Sequence, residues 1–277
     1  MQGFNEEQKM LLIGCGHMGH ALAMGWLRAG LAPDHLYVVD PGAAPSCLPN
    51  VVEDQFVKSA GELPRSLKAR VIVIAVKPQV IGGILPLLAP FTDEETMIIS
   101  VAAGVPIRTL VDGVGADATY VRAMPNTPAA IGAGITGLCA EDTISDNNKA
   151  LARETLHAVG DTVWLNDEAL MNAVTAVSGS GPAYVFHLVE AMAYAGTEQG
   201  LSPEVAMTLA RQTVIGAARL MDAEEDQTVA ALRRRVTSPG GTTEAALKVL
   251  MHANDGLGDL MARAVDAARA RGEELGG

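Results

Sequence analysis

The chain has 277 residues, 49% of them apolar and only 4% aromatic, and a formal net charge of −12. That length fills one large domain or two ordinary ones, and the apolar content excludes a disordered chain. The acidic balance argues against nucleic acid and anionic membrane as partners, since both require a basic face, while twenty-nine glycines with few aromatics fit the close backbone packing of nucleotide-binding α/β proteins.

The first residues, "MQGFNEEQK", carry acids and no apolar run, so no signal peptide is expected. "MLLIG" then reads as a strand, 17–29 as an amphipathic helix and "LYVVD" as a second strand. "RVIVIAV" is the next strand, followed by a helix over 79–88; "TMIISV" follows, then a helix over 107–111, then "TYVRAM". Alternating strand and helix predicts a doubly wound, mainly parallel sheet, and buried parallel strands read as continuous apolar runs, as these do. The apolar stretch 71–91 is broken by Lys77, Pro78, Pro86 and Pro90, so it is read as strand, turn and short helix with no membrane span. "GITGLCA" and "DTVWL", with a helix over 146–158 between them, extend the sheet to Leu165, giving a domain over 1–165.

Beyond Asp167 only helical periodicity remains, over 169–177, 182–199, 203–221, 228–235, 243–253 and 257–271. Residues 166–277 are therefore expected to be all helical. Gly200 is placed as the residue that ends one helix, Ser202 as the cap of the next and Pro203 as its first residue. Alanine-rich helices with apolar residues on more than one face call for cover, either from a second chain or from the sheet domain itself.

The densest chemical signal is "LLIGCGHMGHAL". Gly14, Gly16 and Gly19 form G-x-G-x-x-G between a strand and a helix. In that context Gly14 permits the tight turn, Gly16 lets backbone approach a pyrophosphate, Gly19 allows close helix packing, and the helix start offers N–H groups to phosphates. Asp40 ends the second strand 21 residues after Gly19. An acid there accepts hydrogen bonds from the adenosine ribose, and "DPGAAPSCLPN" has no Lys or Arg for a 2′-phosphate, so NADH is favoured. A turn-forming Asp before Pro41 is the alternative. The loops "AVKP", "SVAAG" and "MPNTP", the last containing Asn126, leave later strands through small residues or prolines, so their backbone can lie flat against a ribose or nicotinamide. Lys77 reads equally as an exposed lysine or a cofactor contact.

Cys15, Cys47 and Cys139 are odd in number and lack metal-ligand spacing, and the six histidines show none either. Neither a disulfide frame nor a metal site is expected, and a cytoplasmic location fits. His17 is read as a loop side chain near the cofactor.

In "RVTSPGGTTEAALKVL" a basic helix end meets a new apolar helix. The N–H groups of Gly241, Thr242 and Thr243 are expected to lack intrahelical partners and to make a carboxylate-sized anion site; simple capping by Gly241 or Thr242, with Glu244 in the first turn, is the equal alternative. Arg233, Arg234 and Arg235 end the preceding helix, where cations complement the helix dipole; direct substrate binding is the less favoured alternative. No HExxH, GxSxG or P-loop lysine motif is present.

"IGCGHM", "AVKP", "SVAAGV", "MPNTPAAIGAGITGL", "AVSGSGPAYVF" and above all "VTSPGGTTEAAL" resemble pyrroline-5-carboxylate reductases over nearly the whole chain. The resemblance implies a Rossmann-type domain followed by an all-helical dimerisation domain, with active sites at the subunit interface. It implies NAD(P)H contacts at Ile13, Gly14, Cys15, Gly16, His17 and Met18, at Ala75, Val76, Lys77 and Pro78, and at Val101, Ala102 and Ala103. Substrate is implied at Ser238, Gly240, Gly241, Thr242 and Thr243, with the Thr243 hydroxyl on the ring nitrogen. Ser178, Gly179 and Gly181 would open the dimerisation helix. Many members carry polar or basic residues where this chain has Asp40-Pro41. The nearest enzymatic rival, a β-hydroxyacid dehydrogenase, requires a lysine on the helix entering the second domain, and 178–190 has none. A non-catalytic dinucleotide-sensing protein would keep GCGHMG without reason to keep SPGGTT.

Overall fold

The computed structural model describes residues 8–42, 45–115 and 117–276. Residues 1–7, on which the signal-peptide reading rests, and Ala43 and Ala44 of the loop after Asp40 lie outside them.

Eight strands form one sheet in the order β3-β2-β1-β4-β5-β6-β7-β8. They are β1 (Lys9–Ile13), β2 (Leu36–Val39), β3 (Phe56–Val57), β4 (Ala69–Ile74), β5 (Met97–Ser100), β6 (Thr119–Met124), β7 (Gly134–Ala140) and β8 (Gly160–Trp164). Interleaved are α1 (His17–Arg28), α2 (Pro78–Ile84), α3 (Ile107–Val114) and α4 (Asp146–His157). The central strands carry continuous apolar runs, Met10 to Ile13 in β1, Val71 to Ile74 in β4 and Met97 to Ile99 in β5, because helices cover both faces. Leu11, Ile13, Ile72, Ile74 and Ile98 pack with Ile81 of α2 and Leu110 of α3. Met10, Leu12, Val71, Val73 and Ile99 pack with Leu22 and Trp26 of α1 and Leu156 of α4. Trp26 is fully buried, and its indole N–H donates to the Thr155 carbonyl at 2.7 Å, so its one polar group is satisfied.

All strand pairs are parallel except β6 with β7. The link between those two holds only a 3₁₀ turn at Thr127–Ile131, too short for the crossover that a parallel pair needs. Three expectations change at the level of local structure. The helix expected over 79–88 ends at Ile84, and a 3₁₀ turn follows at Leu85–Leu87, because Pro86 has no N–H to continue an α-helical ladder. The segment expected as one helix over 169–177 is a 3₁₀ turn, then α5 (Met171–Val174), then a π turn at Thr175–Gly179. The helix expected over 243–253 begins one residue earlier and closes at Leu250.

The helices that follow are α6 (Gly181–Glu198), α7 (Pro203–Ala223), α8 (Val229–Arg235), α9 (Thr242–Leu250) and α10 (Leu257–Gly276). By its contacts the chain forms two compact units. One runs through Ser180 and includes the chain from Ala268 onward; the other is Gly181–Ala267. Within the second, α6 and α7 meet through Ala193, Ala206 and Ala210. Their connection is tight. Gly200 is left-handed at φ 94°, the Leu201 N–H donates to the Gly196 carbonyl at 3.2 Å, and Ser202 Oγ accepts from the Val205 N–H at 3.3 Å ahead of Pro203. Large apolar side chains of this unit remain exposed, Phe186 at 65%, Tyr194 at 69% and Val249 at 72%. Among the described residues no helix is long and apolar enough to cross a membrane.

Candidate active site

At the end of β1 the Gly14 N–H donates to the Val39 carbonyl at 2.8 Å, and the Ala75 N–H donates to the Ile13 carbonyl at 2.7 Å. The loop is thus seated between β2 and β4, where successive connections leave the sheet in opposite directions, the place at which doubly wound sheets open a crevice. Two of its glycines are internal necessities. Gly14 is left-handed at φ 93°, and a Cβ on Gly19 would lie 2.0 Å from the Gly14 carbonyl oxygen. Gly16 differs, since a Cβ there would meet no protein atom within 4 Å. It faces a cleft of about 580 Å³ bordered by Cys15, Gly16, His17, His20, Met24 and Arg28. Gly16 caps α1 without any side-chain hydrogen bond, so the first N–H groups of that helix are available to an anion. An open glycine, a helix start and an adjoining cleft fit the pyrophosphate of a dinucleotide. His17 is exposed and Met18 packs partly against the core.

Asp40 closes the crevice. Its Oδ2 accepts from the Cys15 N–H at 2.6 Å and its Oδ1 from the Gly42 N–H at 2.7 Å, so one carboxylate ties the glycine loop to the turn after β2. Cys15 is half-buried with its Sγ 4.0 Å from Cys47 Sγ. Burial, then the Cys47 sulfur, then the Asp40 charge push its thiol up to about 12.

The later loops stand at the same carboxyl edge. Ala75 and Val76 are half-buried, Lys77 is exposed at the cap of α2, and Pro78 is its first residue. The Val101 N–H donates to the Ile74 carbonyl at 3.0 Å, Ala102 is buried and Ala103 is exposed. Asn126 is nearly buried, and both ends of its amide are used by the protein. Oδ1 accepts from the Ile135 N–H at 3.0 Å, and Nδ2 donates to the Ser178 carbonyl at 3.2 Å, in the π turn. The sequence carried no signal of that bracing role.

In the helical unit, Arg235 at the end of α8 forms a forked ion pair with Glu224 at 2.5 and 2.8 Å, which holds the Glu224 carboxyl below its usual range. The turn into α9 corrects one sequence expectation. The Gly241 N–H is engaged, donating to the Ser238 carbonyl at 3.0 Å, because the turn closes there. Gly240, left-handed at φ 71°, donates its N–H to Glu244 Oε2 at 2.9 Å. A Cβ on Gly241 would lie 2.5 Å from Ser238 Oγ, so the serine hydroxyl packs against the bare glycine. Among the described residues the N–H groups of Thr242 and Thr243, and the Thr243 hydroxyl, have no hydrogen-bond partner. Ser238 and Thr242 are exposed and Thr243 is half-buried. Two free amides, a serine hydroxyl and a threonine hydroxyl at a helix start suit a small carboxylate with a polar atom beside it.

Known proteins match both halves. A family model for "Pyrroline-5-carboxylate reductase dimerisation" matches residues 168–275, and one described as "NADP oxidoreductase coenzyme F420-dependent" matches residues 9–104. A pyrroline-5-carboxylate reductase of Pseudomonas aeruginosa is 41% identical over 276 residues, covering 96% of each chain. The structure of a pyrroline-5-carboxylate reductase from Coxiella burnetii superposes with a TM-score of 0.87 at 37% identity, covering 98% of this chain and 100% of that one. A Plasmodium falciparum pyrroline carboxylate reductase with NADP bound superposes with a TM-score of 0.81 at 30% identity, over 99% of this chain and 100% of that one. With identity of this order over nearly its full length, and with the dimerisation family model matching its second half, the chain belongs to the pyrroline-5-carboxylate reductase family.

Proposed function

We propose that the chain carries out the reaction of its family, reduction of L-1-pyrroline-5-carboxylate to L-proline with NAD(P)H, the last step of proline biosynthesis. The observation that carries this reading is the start of α9, where the N–H groups of Thr242 and Thr243 and the Thr243 hydroxyl are unpartnered beside Ser238. The substrate carboxylate is held by those two amides and the Ser238 hydroxyl. Gly240 and Gly241 shape the turn, and the Gly241 amide joins only by exchanging its bond to the Ser238 carbonyl. Each charge-assisted bond contributes about 1.5–3 kcal/mol, and the helix dipole about 0.3–1 kcal/mol more. These local terms favour an anion despite the net charge of −12.

The bound dinucleotide supplies hydride. A protonated cyclic imine is already a strong electrophile, so the protein's task is to fix the distance and angle of approach, and no strong acid is needed. Thr243 hydrogen-bonds the ring nitrogen and keeps it in place as it becomes an amine. The loops at Ala75, Val76 and Val101 to Ala103 would border the nicotinamide, and Asn126, which also braces the π turn, would contribute from the loop after β6. The helical region pairs with a second copy, and the boundary between cofactor-binding and substrate-binding parts falls near 165.

NADH is the preferred donor. Asp40 sits at the end of β2 with its carboxylate fixed by two amides, and 41–50 has no cation to receive a 2′-phosphate. Oxidation of NADH and of NADPH, each followed with pyrroline-5-carboxylate, tests both parts. Turnover with this substrate and a higher kcat/KM for NADH is the expected result. Absence of turnover overturns the activity. A higher efficiency with NADPH, left unchanged by Asp40→Ala, overturns the preference alone.

A further inference from the structure

Cys15 lies inside the glycine loop and Cys47 ends the 3₁₀ turn Pro45–Cys47, 32 residues away, yet their sulfurs stand 4.0 Å apart. The sheet order explains this meeting, because β2 lies beside β1 and returns the following segment to the loop. That segment is held in place from α1, where His20 Nε2 is 3.0 Å from the Cys47 carbonyl. Both cysteines are half-buried, and Cys15 borders the cleft. Cys139 is buried in the core cluster on the opposite face of the sheet, so it takes no part.

We propose that Cys15 and Cys47 form a reversible disulfide when the protein meets a peroxide, and that this bond closes the dinucleotide cradle. The inference rests on the cofactor reading of the glycine loop. In reducing compartments such pairs are typically transient and redox-sensing.

Burial holds the proton on Cys15, so Cys47 is assigned as the sulfur that meets the peroxide. The Cys47 thiolate attacks one peroxide oxygen and the O–O bond breaks. Cys47 becomes a sulfenic acid, and the departing hydroxide takes up the thiol proton as water. Cys15 Sγ then attacks Cys47 Sγ, the S–O bond breaks, and the Cys15 proton leaves with that hydroxide as a second water. Two thiols are oxidised to a disulfide and one peroxide is reduced to two waters. A dithiol reductant reverses the change.

An S–S bond is about 2.05 Å long, so bonding draws the two sulfurs together by about 2 Å and pulls on the turn and the loop that carry them. The Cys15 amide is bonded to Asp40 and adjoins Gly16, the glycine that opens onto the cleft. Displacement there moves the backbone that would lie against a pyrophosphate.

The test treats the full-length protein with hydrogen peroxide, maps its cysteines by peptide mass spectrometry, and measures NADH and NADPH binding by fluorescence before oxidation, after it, and after dithiothreitol. A Cys15–Cys47 linkage is expected, with the dissociation constant raised by about tenfold or more, equivalent to about 1.4 kcal/mol. Dithiothreitol restores binding, and bound dinucleotide slows the oxidation. Cys47→Ser and Cys47→Ala are expected to bind normally before and after peroxide. The proposal is overturned if no such linkage forms, if it forms without weakening binding, or if the Cys47 variants lose binding on oxidation as the wild type does. Failure of the reduced wild type to bind either dinucleotide would instead overturn the cofactor reading.

Discussion

Between β1 and β8 the chain fills both faces of its sheet with fully buried Leu, Ile, Val and Trp side chains, whereas Gly181–Ala267 buries only three alanines as its cluster. The helices of the second unit carry Phe186, Tyr194, Leu209 and Val249 on exposed surface instead. Exposed apolar area on that scale marks a surface made for another protein surface. The sheet unit is filled by its own side chains, and the helical unit, which a dimerisation family model matches, leaves large apolar side chains uncovered. The same sequence therefore has a region whose stability is set by its own side chains and a region whose stability depends on protein concentration.

The sharpest way to break this contrast is Phe186→Glu. A charge at the centre of a shared apolar face is expected to yield monomers by sedimentation velocity and to lower activity by about a hundredfold or more, as loss of an aromatic anchor does. Unchanged mass and activity would show that α6 is not part of a shared core. Trp26→Ala probes the other side. It removes a fully buried ring and a satisfied indole N–H, so urea unfolding should report a loss of about 3–5 kcal/mol with no change in oligomeric mass. A concentration-dependent loss would contradict a self-contained sheet unit.

Thr243→Ala sits between these two. α9 has no buried residue, so the variant should leave stability alone while kcat/KM falls by about ten- to a hundredfold, the range for one lost hydrogen bond to a reacting group. Unchanged kinetics would remove Thr243 from the mechanism. Gly241→Val should raise the substrate KM, because a side chain there displaces Ser238 Oγ.

The smallest expected effect lies in the sheet unit and depends on pH. The folded protein keeps the Cys15 proton up to about 12, whereas an unfolded thiol releases it near 9.0. The folded state thus holds more protons in that window. Stability from this source is intact below pH 9 and is lost as pH rises toward 12. Thermal melts should show a flatter alkaline decline in Cys15→Ala than in the wild type, and identical slopes would refute the assignment.

The sheet was legible because strands buried on both faces carry continuous apolar runs, such as Val71 to Val76 after Arg70. β3 was not, since Phe56 and Val57 are a two-residue edge with no run to read. The turn of β7 against β6 was hidden because direction depends on the short length of a link whose internal 3₁₀ turn resembles any proline-rich loop. At the site, the spacing of Gly14, Gly16 and Gly19 was visible in the sequence, while the different demands on them, including the place of Gly19 inside α1, required coordinates. Thr242 and Thr243 could be read as a helix start, but the bond from Gly241 to Ser238 depends on how a two-glycine turn closes. The meeting of Cys15 and Cys47 follows from strand order, which no local pattern contains.

The chain from Ala268 onward belongs to the sheet unit, and Gly272 lies against Asn172, where an added Cβ would be 3.3 Å from the amide oxygen. In order of synthesis the helical unit is therefore made between two parts of the sheet unit. Strands β1 to β8 pair mostly with sequence neighbours and can assemble as they emerge from the ribosome. Their unit receives its last piece only after α6 to α9 have been translated. A chain cut short within α10 would leave the patch beside Asn172 uncovered.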